Sequence, residues 1–70
     1  MILREVRSLV RGDAVRIDRT DVVWVLDDHP QDTGGWSHLM LTSAEGREMG
    51  LRLLNEDRVE LVRAMAYERI

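Results

Sequence analysis

The sequence predicts a small, mostly β domain folded as an antiparallel meander. Two observations carry that reading. Between residues 14 and 53, four short stretches either alternate apolar with polar side chains or run through β-branched and aromatic ones, as half-buried and buried strands do. The segments between them hold Gly12-Asp13, Pro30, Gly34-Gly35 and Gly46, all turn-forming chemistry. The end of the chain leaves an alternative open: an α+β fold, with a four-stranded antiparallel meander followed by a C-terminal helix.

Seventy residues make one domain, 1–70, close to the smallest size at which a single core holds without staples. There is no cysteine, so a disulfide framework and a thiolate zinc site are both excluded. Apolar residues at 44% and charged residues at 33% fit a folded chain rather than a disordered one. The longest apolar run, residues 22–26, is too short to span a bilayer. The first ten residues do not read as a signal peptide, so a cytoplasmic location is expected. The net charge of −3 speaks against a dedicated phosphate-backbone binder. All ten basic residues are arginine; their GC-rich codons suggest a bacterium of high-GC genome, or a phage.

Ile2, Leu3, Val6, Leu9 and Val10 recur at helical spacing, which predicts a short N-terminal helix or an apolar arm. Ten residues are marginal for a free helix. Gly12-Asp13 ends this segment. Residues 14–18 alternate, with Val15 and Ile17 on one face, as a first strand. Residues 22–26, Val-Val-Trp-Val-Leu, have the strongest strand chemistry in the chain. Residues 28–35 read as a flexible hairpin loop, residues 36–42 as a third strand. Ala44-Glu45-Gly46 reads as a three-residue hairpin loop with glycine in the left-handed position. Met49, Leu51 and Leu53 then alternate with Glu48, Gly50 and Arg52 in a fourth strand. After Asn55-Glu56-Asp57, residues 59–62 alternate as a fifth strand. Against that stand a capping-box pair, Asp57 and Glu60, and helical spacing of Val59, Val62, Met65, Ala66 and Ile70.

Four or five short strands opened by "LVRGDAVRID" and closed by "LLNEDRVELV" resemble the SH3-like small barrels of the KOW and Tudor kind. The resemblance spans residues 9–62 and implies an SH3-like antiparallel barrel of four to five strands. It leaves the ligand open, because such domains serve as adaptors as well as binders of nucleic acid or modified lysine. Trp24, Trp36 and Tyr67 are too few for a methyl-lysine cage.

The central hairpin is the informative segment. A loop centred at Asp32 sets Trp24 opposite Met40, Leu26 opposite His38 and Asp28 opposite Trp36. The other face then pairs Val23 with Leu41 and Val25 with Leu39. A three-residue loop at 44–46 sets Met49 against Leu41 and Leu51 against Leu39. The expected core face is Val23, Val25, Leu39, Leu41, Met49, Leu51 and Leu53, with Leu51 fully buried. A second apolar face remains: Trp24, Leu26, Trp36, His38 and Met40. A four-residue loop would exchange the two faces. Either residues 2–10 or 65–70 cover that second face, or it contacts another protein or a second copy of the chain.

Other candidates carry less. Asp27, Asp28, His29, Asp32 and His38 offer metal-ligand types without a recognised spacing. His38 with Asp28, and Ser37 or Ser43 as nucleophile, lack any sign of an oriented base or oxyanion hole. Arg11-Gly12-Asp13 spells an integrin tripeptide but reads as a turn into a strand, and Gly34-Gly35 lacks the lysine of a phosphate loop. The expectation is therefore a non-enzymatic protein-interaction module, with self-association among its modes, no cofactor and no metal. The alternative is a nucleic-acid-associated accessory domain using Arg4, Arg7, Arg11, Arg16 and Arg19.

Overall fold

The computed structural model describes residues 1–17 and 20–64. In chain order these form β1 (Leu3–Glu5), a 3-10 turn (Val6–Ser8), β2 (Ala14–Arg16), β3 (Val23–Leu26), β4 (Gln31–Asp32), β5 (Trp36–Ser43), β6 (Glu48–Leu54) and β7 (Arg58–Arg63). All pairings are antiparallel. The strands run β1-β7-β2-β3-β5, with β3 and β4 along one edge of β5 and β6 along the other.

The β5–β6 hairpin forms as its alternation requires. Leu41 lies opposite Met49 and Leu39 opposite Leu51. The loop is the three-residue kind: Arg47 O accepts from Ser43 N–H at 2.9 Å, and Gly46 takes φ +86°, a region costly for residues with a Cβ.

The core is the inward row of each strand. Val15 pairs with both Trp24 and Leu61, Trp24 with Ser43, and Leu26 with Leu41. Directly opposed residues share a face, so Val15, Trp24, Leu26, Leu39, Leu41, Val59 and Leu61 close on one another, all buried. Full burial of one such side chain stabilises by roughly 1.5–3 kcal/mol. Met49, Leu51 and Leu53 pack against this cluster while remaining half-buried. Leu51 is therefore not the fully enclosed residue expected; Leu39 and Leu41, at 0% exposure, are.

The register of β3 on β5 overturns the expected hairpin. Trp24 lies opposite Ser43, not Met40, and Leu26 opposite Leu41, not His38. The slip is three residues, and an odd slip moves every side chain to the other face. Trp24 and Leu26 join the core, while Val23 and Val25 become half-buried outward residues. The cause lies in the segment read as a flexible loop. It contains β4, which pairs Gln31 with His38 and Asp32 with Ser37. β4 occupies the near part of β5 and leaves β3 the far part.

Both ends of the chain follow tertiary pairing over local pattern. The N-terminal segment is an arm rather than an amphipathic helix: β1 pairs with β7, and Leu9 N–H bonds Val6 O at 3.2 Å in the 3-10 turn. Val6 and Leu9, three apart as that turn requires, are buried in the core. Residues 58–63 are strand, bonded on one side to β1 and on the other to β2. Two ladders outweigh one capping-box pattern. Asp18 at the end of the first predicted strand, and Met65, Ala66 and Ile70 of the helical alternative, lie outside the described residues.

Candidate functional site

Outward side chains on β5 are Trp36, His38 and Met40. Across from them on β6 stand Leu54, Arg52 and Gly50, and across from His38 on the other side stands Gln31 of β4. Direct opposition makes these one contiguous patch on the outer face of the sheet. Trp36 is 45% exposed, Met40 45% and Leu54 41%, unusual for large apolar side chains held side by side. The Arg52 guanidinium carbon lies 5.6 Å from the Trp36 ring centroid, a cation–π distance that covers the indole with charge. Gly50 leaves room where His38 and Met40 lean over β6: a Cβ there would stand 3.4 Å from His38 Nε2 and 3.7 Å from Met40 Sδ.

A polar network sets the near end of this patch. Asp32 Oδ1 accepts from Gly34 N–H at 2.9 Å and from Gly35 N–H at 3.4 Å. Both glycines take positive φ, +88° and +96°, so the turn into Trp36 needs residues without a Cβ. Asn55, buried at the end of β6, hydrogen-bonds the Asp32 carboxylate and accepts from the buried Ser37 hydroxyl. The Asn55 contact first, then the Gly34 N–H, hold the Asp32 carboxyl below its ordinary value; burial opposes them, and the Gly35 N–H adds the least. Gly35 O accepts from Asn55 N–H at 2.9 Å. The turn is thus tied to β6 by main chain and side chain together.

The structure divides the five residues expected on one face. Trp36, His38 and Met40 are together on the surface; Trp24 at 8% and Leu26 at 1% exposure are on the core side. Leu54, Arg52 and Gly50 complete the patch in their place. Arg52 and Gly50 were legible as the outward set of the fourth strand. Leu54 was not, because that strand was expected to stop at Leu53. The arm of residues 2–10 packs at β7 and in the core, and its Arg7 N–H bonds Asn55 O at 3.2 Å, just past Leu54.

The remaining candidates are separated. Asp27 accepts from Thr42 Oγ1 at 2.7 and 2.9 Å, and Asp28 accepts from His29 N–H at 2.8 Å. His29 Nδ1 faces Arg11 N–H at 3.4 Å. Among the described residues no three His, Asp or Glu side chains gather to hold a metal ion. Ser37 and Ser43 are buried, Ser43 Oγ accepting from Arg47 N–H at 3.2 Å. Asp13 is buried at the turn, its carboxylate accepting from Val10 N–H at 2.9 Å, so the acid of Arg11-Gly12-Asp13 is turned inward, although Arg11 is exposed. Of the expected arginines, Arg4 lies on β1, Arg7 in the 3-10 turn, Arg11 in the following turn and Arg16 on β2. Arg7 pairs with Glu5 at 3.1 Å and Arg16 with Glu60 at 2.8 Å; Arg19 lies outside the described residues.

Hollows among the described residues lie elsewhere. One of about 630 Å3 is lined by Leu3, Ile17, Leu53 and Val59, and one of about 440 Å3 by Ala14, Val23, Val25 and Val62. Neither includes Trp36, His38 or Met40. Among the described residues no helix is long and apolar enough to cross a membrane. The sequence matches no protein-family model and no curated protein, and no solved structure matches the fold.

Proposed function

We propose that this chain is a non-enzymatic protein-interaction module whose contact surface is the outer face of the β5–β6 hairpin. One observation carries the reading: Trp36, Met40 and Leu54 stand exposed side by side, on strands rather than loops, around His38 and the Arg52–Trp36 stack. Tryptophan, methionine and arginine are the side chains that interface centres enrich. Strand placement fixes them before any partner arrives, which lowers the ordering cost of binding. The partner of this face is another protein or a second copy of the chain.

The SH3-like small barrel is the fold within which we read this surface. Support comes from connectivity: β7 and β6 stand at opposite sides of the order β7-β2-β3-β5-β6, yet only Asn55-Glu56-Asp57 joins them in sequence. A link that short favours a sheet curled toward closure.

The test is capture from a lysate of the native host by wild type and by Met40→Glu, each verified as folded by circular dichroism. The expected result is a protein retained by wild type and by Arg11→Glu but lost with Met40→Glu. Equal capture by wild type and Met40→Glu would refute the reading. Retention on DNA that falls steeply with salt and disappears with Arg4→Glu and Arg11→Glu would replace it by the nucleic-acid alternative.

A further inference from the structure

The lone edge of β6 is a second surface, distinct from the outer face. Glu48–Leu54 is seven residues long and pairs with β5 alone among the described strands. Its backbone direction follows from the two bonds that bracket the hairpin, Ser43 N–H to Arg47 O and Asn55 N–H to Gly35 O, each 2.9 Å. Bonded and non-bonded pairs alternate along an antiparallel ladder. Met49, Leu51 and Leu53 therefore bond to β5, while Glu48, Gly50, Arg52 and Leu54 aim their N–H groups away from it. Of the carbonyls on that side, Leu54 O is taken by Asp57 N–H at 3.0 Å.

Such edges are normally blunted by proline, lysine, a bulge or an inward charge. β6 has no proline or lysine, its pairing to β5 runs without a break in register from Trp36↔Leu54 to Thr42↔Glu48, and both its charges are on the outer face. The inward row is also unfinished: Met49, Leu51 and Leu53 touch the core and remain half-buried.

We propose that this edge pairs antiparallel with the same edge of a second copy, about a two-fold axis at Gly50. Charge selects the register. An axis at Glu48 or at Arg52 would set like charges against each other, which destabilises a cross-strand pair. With the axis at Gly50, Glu48 of each copy stands directly opposite Arg52 of the other, so two opposite-charge pairs form on the outer face. Gly50 then meets its own copy at the centre, where the absence of side chains lets two backbones approach. On the inner face Met49 of each copy meets Leu51 of the other, extending the core across the junction. The sheet becomes continuous through the dimer, and the two outer-face patches lie on one surface. The pairing uses the strand edge and leaves the faces of Trp36 and Met40 open to another protein.

The experiment is native mass in solution, by light scattering over a concentration series, for wild type, Glu48→Arg, Arg52→Glu and their equimolar mixture. Glu48 and Arg52 are exposed, so both variants are expected to keep the wild-type circular dichroism. The wild type should run as a dimer of the 8.1 kDa chain. Each variant should dissociate at a concentration about tenfold higher or more, since two attractive pairs become two repulsive ones. The mixture should regain the dimer, because one variant carries arginine at both positions and the other glutamate at both, so every cross-strand pair is again of opposite charge. Met40→Glu should dimerise like wild type, separating this edge from the outer face. A monomeric wild type, which leaves the edge to another strand or to residues 65–70, would overturn the proposal. So would a dimer unmoved by either variant, or variants whose mixture stays dissociated.

Discussion

Trp24 and Met40 carry opposite consequences for the same kind of substitution. Trp24 is packed between Val15 and Ser43 on the inner face. Glutamate there removes the indole contacts and places a carboxylate where nothing answers it. Truncating a buried aromatic alone costs about 3–5 kcal/mol, comparable to the roughly 3–5 kcal/mol that a domain this small holds in reserve. Trp24→Glu is expected to unfold the chain, read by circular dichroism, whereas Met40→Glu should melt within a few degrees of wild type. Leu39→Ala is expected to cost about 2–5 kcal/mol and Leu51→Ala visibly less in the monomer, since only Leu39 is enclosed. The acid response belongs to Asp32. Its folded-state carboxyl sits below the ordinary value because Asn55, Gly34 and Gly35 favour the charged form. The stability this contributes is present above the unfolded-state value and is lost as pH falls through the folded one. Asp32→Asn should flatten that acid-side decline in melting temperature; an unchanged acid profile would count against the network. Asn55→Ala should cost about 1–3 kcal/mol by leaving the buried Ser37 hydroxyl without its acceptor.

Among the elements, those set by a short loop and strict alternation were legible in the sequence. Ala44-Glu45-Gly46 fixed both the turn and the pairings Leu41–Met49 and Leu39–Leu51, because a three-residue loop leaves one register. Gly46 is the position that enforces it: at φ +86° with open space around it, Gly46→Ala meets backbone strain rather than a clash. The expected loss is about 1–2 kcal/mol in chemical denaturation. The β3–β5 register was not legible. Nine residues separate the two predicted strands, and the two that form β4 carry no strand signature, being Gln31 and Asp32. Their pairing pushes β3 three residues along and exchanges the faces of Trp24 and Val25. Hence the outer face was anticipated through Trp36, His38 and Met40 on β5, whose partner β6 was placed correctly. It failed through Trp24 and Leu26 on β3, whose partner residues were not. The end of the chain shows the same physics: Val59 and Leu61 alternate as a strand and also fit a helix, and only the ladders to β1 and β2 decide.

For the molecule as a whole, the sheet has an inner face that is filled except along β6 and an outer face that is unevenly dressed. Around β2 and β7 the outer side carries the Arg16–Glu60 pair at 2.8 Å; around β5 and β6 it carries Trp36, Met40 and Leu54. On that asymmetry rests the assignment of contact to the hairpin rather than to the arginines. The direct measurement is acrylamide quenching of Trp36 fluorescence in a Trp24→Phe variant, where Trp36 is the one tryptophan left. It is read in the free protein and again in the complex captured from host lysate. Strong quenching is predicted for the free protein and quenching reduced several-fold for the complex, because the partner covers the ring. Equal quenching in the two states, with the partner demonstrably bound, would contradict a contact surface on this hairpin.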